Sequence, residues 1–348
     1  MSVAAALSAL PGAAGTAHAQ NWLYSGTDYG TGANWSTGVT PGAGQTATFG
    51  SNGVNQPVIS TGNFTIGTVN MTAGSLTINP TRTLTVQSAF NLTDASILGT
   101  GALSLGAGSL LTAAGTTAMT IAPVISGTGA TLVTGSDVTF TGTNTYTGTT
   151  TVNSGGVLQL GSGGTTGTLG TGAVTNNGSV VFNRSNAYAV ANVISGTGTV
   201  SQTGDGTTSL TGANTYSGTT TISAGILSVG NNGTTGTLGT GNVVNNATLQ
   251  LNRTNSFTVD NDISGTGALT KTAAGTSTTL TLTGTNTYSG TTTITEGILQ
   301  IGAGGTAGTL GTGDVVTTGG TLRFNRSDAL TVSSDITGTD ILETTKDT

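Results

Sequence analysis

Cysteine is absent from the 348 residues, and the single histidine is His18. Disulfides, thiolate nucleophiles and Cys-ligated metals are excluded at once. His18 lies in an N-terminal segment expected to be removed, so a Ser-His-Asp triad and a His-ligated zinc site are excluded from the mature chain as well. Charge is also scarce, with seven basic and 13 acidic residues and a net charge of −6. Nucleic acid and anionic lipid are bound through Lys/Arg clusters, and here the first basic residue is Arg82. So little charge also rules out a disordered tail held open by self-repulsion. Five prolines and no Gly-X-Y period exclude collagen. No apolar run approaches the roughly 18 residues of a membrane helix. The chemistry left is that of carboxylates or none, and no cofactor, metal or catalytic residue is expected.

What the chain has instead is glycine and threonine, which make up 139 of its residues and both disfavour helix interiors. Aromatics are only 4%. The first twenty residues, MSVAAALSALPGAAGTAHAQ, are an apolar stretch followed by small residues. Ala17-His18-Ala19 fits the A-x-A pattern before a cleaved bond, although no basic residue precedes the apolar stretch. Residues 1–19 therefore read as a signal peptide, and export is expected.

Internal repetition is the strongest signal. GTNTYTGTTTVNSGGVLQLG (142–161) returns as GANTYSGTTTISAGILSVG (212–230) and GTNTYSGTTTITEGILQIG (284–302). TTGTLGTG (165–172) recurs unchanged at 234–241 and as TAGTLGTG at 306–313. Asn-Arg pairs at 183–184, 252–253 and 325–326 precede ISGTG at 194–198 and 263–267 and ITGTD at 336–340. Modules of about 70 residues have been copied. Within each, short runs such as Val157–Leu160 and Thr248–Leu251 alternate and are broken by Gly or Asn, the pattern of strands rather than helices.

Strands of four to six residues cannot bury a core as isolated hairpins, but stacked coils can. The expected fold is all-β, a right-handed parallel β-helix (β-solenoid) of about 14 coils. Coils of roughly 23 residues would put three in each module, and the whole would be roughly 65 to 70 Å long. Thr would lie mainly on the solvated faces and Gly and Asn at the corners. Residues 20–120 would cap the helix and form its first coils, and 121–348 would hold the modules, truncated at the C-terminus.

The unit NTYTG (144–148), followed by TTTV (149–152) and a Leu strand, resembles the autotransporter-associated β-strand repeat of bacterial passenger domains. Asn34-Trp35, Pro41 and QTATF (45–49) are similar to the segment that often precedes such repeats. The resemblance implies a right-handed parallel β-helix, export through the outer membrane, and surface display or release. It also implies a C-terminal membrane barrel, which is expected in a parent protein of which this chain is a fragment.

Candidate contact residues follow the repeat. Tyr146, Tyr216 and Tyr288 could form a glycan-stacking stripe about 14 Å apart, or could cover the coil edge with the hydroxyl in water. Arg184, Arg253 and Arg326 could meet an anionic polymer, or could reach carbonyls and carboxylates at the solvated rim. Asp260 and Asp262 share a strand face, as a β-helix polysaccharide lyase or hydrolase would need, but the pair is not repeated in the other modules. The favoured expectation is a monomeric, non-enzymatic stalk or adhesin at the bacterial surface. Its partners would be host or matrix glycans or proteins, met through many weak contacts.

Overall fold

A computed structural model describes residues 19–23, 26–50, 56–272, 278–338 and 342–345. The segment read as a signal peptide lies, apart from Ala19, outside the described residues. Among the described residues there is no α-helix, and one 3-10 turn, Gly32–Asn34, interrupts the strands.

Every strand-to-strand ladder is parallel, and the pairs join residues one coil apart. Thr131 faces Thr150, Thr150 faces Val174 and Val174 faces Ile194. The rung length therefore varies from 19 to 24 residues within a single module. Rungs of three strands stack into a β-solenoid of about 13 turns, close to the 14 expected.

Three faces run along the solenoid. The first begins at Ala19–Asn21 and Thr46–Phe49 and passes through Thr150–Val152 and Val174–Asn176 to Ile194–Ser195. The second is an eleven-stranded sheet from Val58–Ile59 to Ile263–Ser264. The third passes through Ala102–Leu105 and Val124–Gly127, and continues as an eight-stranded sheet from Tyr188–Val190 to Ile336–Gly338. A five-stranded sheet from Phe257–Val259 to Leu342–Thr345 completes the late turns.

Equivalent strands of successive modules fall on different faces. Thr150–Val152 lies in the first, Thr220–Ile222 pairs with Thr199–Gln202 in the second, and Thr292–Ile294 pairs with Ala268–Thr272 in the third. A module is thus three turns and a third, not the three turns expected. Each copy is rotated a third of a turn from the one before, and the three tyrosines do not share one column.

The core follows from alternation. Along Val157–Leu160 and Ser179–Phe182 every second side chain is buried, and the in-register stack places Leu158 on Val180 and Leu160 on Phe182. Burying one such Val or Leu is worth about 1.5–3 kcal/mol, and stacking repeats that gain at every rung. The N-terminal end is closed by aromatics instead. Trp22, Tyr29, Trp35, Phe49 and Phe64 form a cluster with ring centroids 4.8 to 6.4 Å apart. The Trp35 Nε1–H donates to the Tyr29 carbonyl at 2.9 Å, so the indole is buried without stranding its one donor.

Candidate functional site

The two most repeated sequence blocks are vertical neighbours. Residues 144–148 lie one rung before 168–172, and the pairing recurs in each module through bonds such as Thr171 N–H to the Tyr146 carbonyl and Thr240 N–H to the Tyr216 carbonyl, both 2.8 Å. Asn214 ties three rungs together. Its Oδ1 accepts from Ile194 N–H at 2.9 Å in the rung before, and its Nδ2 donates to the Thr237 carbonyl at 2.8 Å in the rung after. Asn144 and Asn286 make the same two bonds, to Ile125 and Thr168 and to Ile263 and Thr309. These segments carry no regular ladder, so a buried amide supplies the backbone's missing partners.

Tyr146, Tyr216 and Tyr288 are fully buried. This corrects both surface readings of them: the rings offer no glycan stripe and the hydroxyls are not in water. Each hydroxyl pairs with a buried threonine, Thr150, Thr220 or Thr292, at 2.7 to 2.8 Å. The middle threonine of each TTT run therefore points inward, an exception to the expectation that Thr lies mainly on the solvated faces.

The arginines are stapled to the loops of the Gly-rich blocks. Arg184 Nη1 donates to the Gly167 carbonyl at 2.8 Å and Nη2 to the Thr165 carbonyl at 2.6 Å, while Asn186 accepts from Nε. Arg253 repeats this with Gly236 and Asn255. Arg326 donates to the Gly308 carbonyl and forms an ion pair with Asp328 at 2.7 Å. Burial lowers the pKa of Arg184 and Arg253. All three guanidiniums are engaged by their own chain, so they do not form a free basic stripe.

Asp260 and Asp262 are both exposed. The Thr283 hydroxyl donates to Asp260 and the Thr285 N–H to Asp262, so each carboxylate is tied to the following rung. Among the described residues no group of three His, Cys, Asp or Glu could hold a metal ion, and no helix is long and apolar enough to cross a membrane.

The open feature is a groove that each module repeats. In the first module it runs between Asn144, Leu169 and Tyr188, with a volume of about 300 Å³. In the second it runs between Asn214, Leu238 and Phe257, at about 390 Å³. In the third it runs between Asn286, Leu310 and Leu330, at about 250 Å³. The wall residue follows the module's arginine by four positions, and the guanidinium lies over the ring, 4.7 Å from the Tyr188 centroid and 4.5 Å from that of Phe257. These wall residues were missed in the sequence. The signal was an apolar residue four positions after every Asn-Arg pair.

The fold and its grooves define the class, a parallel β-solenoid built from rotated sequence modules. The passenger-associated-transport-repeat family matches residues 136–160, 200–229 and 269–301. The chain thus carries three repeats of the autotransporter passenger type, and that repeat implies surface or extracellular display. No curated protein and no solved structure gave a significant match.

Proposed function

We propose that this chain is a displayed passenger segment that serves as a stiff, adhesive stalk and carries no catalytic activity. The observation behind this reading is the third-of-a-turn rotation. Near-identical surfaces recur on all three faces, so weak contacts can form whichever side meets a partner, and many together give avidity. The partners are glycans or proteins of a host surface or matrix. A lyase or hydrolase is not favoured, because Asp260 and Asp262 are held by Thr283 and Thr285 and the pair is not repeated, Ala191 and Ser333 standing where Asp260 does.

The test is adhesion of beads densely coated with the purified chain to host cells and matrix. Coated beads should adhere, and the free chain should compete only weakly, as expected of multivalent contact. Failure of the beads to adhere to any surface would leave a scaffold without adhesive function.

A further inference from the structure

One difference among the three grooves points to a ligand. In the first, the Leu169 N–H opens toward the groove and donates to the Tyr188 hydroxyl at 2.9 Å. In the second, Phe257 occupies the place of Tyr188, resting on Arg253 as Tyr188 rests on Arg184. The ring is kept and the hydroxyl is gone. Leu238 N–H, the equivalent of Leu169 N–H, has no acceptor among the described residues, and neither has Leu310 N–H in the third. Of the three grooves the second has the most room, about 390 Å³ against about 300 Å³ in the first and about 250 Å³ in the third.

An unpaired backbone N–H in a cleft needs an oxygen acceptor, either a water or a ligand atom that displaces it. The surroundings choose the ligand. No basic side chain lines this groove, and Asp260 at its rim repels anions. Asp260, Asn261 and Thr240 offer polar atoms to hydroxyls, and the half-buried Phe257 offers an apolar ring surface. A neutral, hydroxyl-rich ring meets all of these demands together.

We propose that the groove of the second module is a subsite for a neutral saccharide. One sugar ring packs against Phe257, and one of its hydroxyl oxygens accepts from Leu238 N–H, as the Tyr188 hydroxyl does from Leu169 N–H in the first module. The first groove is plugged by its own tyrosine. The third keeps the free N–H but has Leu330 in place of the ring, so it binds more weakly. This proposal rests on the adhesive reading above and names one of its contact sites.

The test uses the isotope-labelled full chain, with amide resonances followed during titration by neutral gluco-, galacto- and manno-configured hexasaccharides. At least one of these should shift the Leu238 amide saturably while leaving Leu169 unmoved. Phe257→Tyr supplies the missing hydroxyl at a position where the first module already carries Tyr, and should weaken binding roughly tenfold, the scale of one blocked hydrogen bond. Tyr188→Phe should unplug the first groove, so that the Leu169 amide now responds to the same sugar. Should Phe257→Tyr fail to fold, the gain of response in Tyr188→Phe decides the matter alone. A Leu238 amide indifferent to all three sugars overturns the proposal, as does a response that survives Phe257→Tyr or a Leu169 amide still silent in Tyr188→Phe. Beads that adhere equally well with Phe257→Tyr would remove this site from the adhesive function and leave the adhesive reading standing, whereas wild-type beads that do not adhere would remove that reading.

Discussion

The hydroxyl oxygens of Tyr146 and Thr150 lie 2.7 Å apart, four residues from each other, and both side chains are buried. Tyr216 with Thr220 and Tyr288 with Thr292 repeat the pair. Removing one partner strands the other in a dry core, which costs about 1–3 kcal/mol, whereas removing both with shape kept costs less than the two single losses together. Tyr146→Phe and Thr150→Val should each lower the urea midpoint followed by far-UV circular dichroism. The double variant should lie closer to wild type than the sum of the two. Strict additivity would show that the hydroxyls do not depend on each other.

Asn214 is expected to be the least replaceable residue of its segment. Asn214→Ala takes the acceptor from Ile194 N–H and the donor from the Thr237 carbonyl, two backbone groups in different rungs. At about 1–3 kcal/mol for each buried group left unpaired, the loss should exceed that of Tyr146→Phe. Amide exchange at Ile194 should accelerate in the variant while exchange in the aromatic N-terminal cluster stays unchanged, because repeats stacked many rungs apart do not touch. Uniform acceleration along the chain would contradict a local staple.

Residues 142–152 show how much was legible in the sequence. The strands and the 70-residue copies follow from alternation and self-similarity, and the structure has both. Asn144, Tyr146, Thr150 and Val152 are all buried, while Thr143, Thr145, Thr147 and Thr149 are exposed. Period-two alternation thus runs straight through the TNTYTGTTTV stretch and could have placed the tyrosine inside. It was obscured because Thr stands on both sides of the wall, outward at Thr149 and inward at Thr150. The third-of-a-turn offset was not legible in the same way. It depends on how many residues each corner absorbs, and the Gly-rich corner at 161–167 lengthens one rung to 24 residues where its neighbours need 19 or 20. The groove difference was visible as Tyr188, Phe257 and Leu330, but its meaning required knowing that Leu169 faces the first of them.

Stability should fall on the alkaline side. Burial raises the pKa of Tyr29, Tyr146, Tyr216 and Tyr288, and pushes Tyr188 up to about 12. A phenol whose pKa is higher folded than unfolded gives stability that is complete below its unfolded value near 10 and is lost as pH rises through the folded value. Lys271 acts with the opposite sign. It is buried, with Nζ donating to the Glu296 carbonyl at 2.9 Å, and burial lowers its pKa. Its cost to the fold shrinks as pH climbs toward the unfolded lysine value of about 10.4. Thermal midpoints should hold or rise slightly up to about pH 10 and then drop, with phenolate absorbance appearing together with loss of β-sheet signal. Lys271→Met should remove the rise and keep the drop. Phenolate formation by more than one of the six tyrosines at pH 10 with the β-sheet signal intact would contradict the burial of these five rings.

Gly239 tests the vertical contact between the two repeated blocks. A Cβ at Gly239 would collide with the Tyr216 carbonyl oxygen and approach its ring carbons, and Gly170 and Gly311 stand in the same relation to Tyr146 and Tyr288. The obstacle is backbone of the preceding rung, which cannot swing aside as a side-chain tip could. Gly239→Ala should therefore cost about 1–3 kcal/mol, the range for overfilling a packed site. Gly164 lies in a Gly-rich corner with open space around its missing Cβ and no left-handed φ. Gly164→Ala should change stability by less than about 0.5 kcal/mol. Paired urea titrations of the two variants separate the accounts. Equal, small losses would mean that glycine in the TLGTG block reflects composition alone, whereas a loss confined to Gly239→Ala would tie that glycine to the tyrosine one rung below.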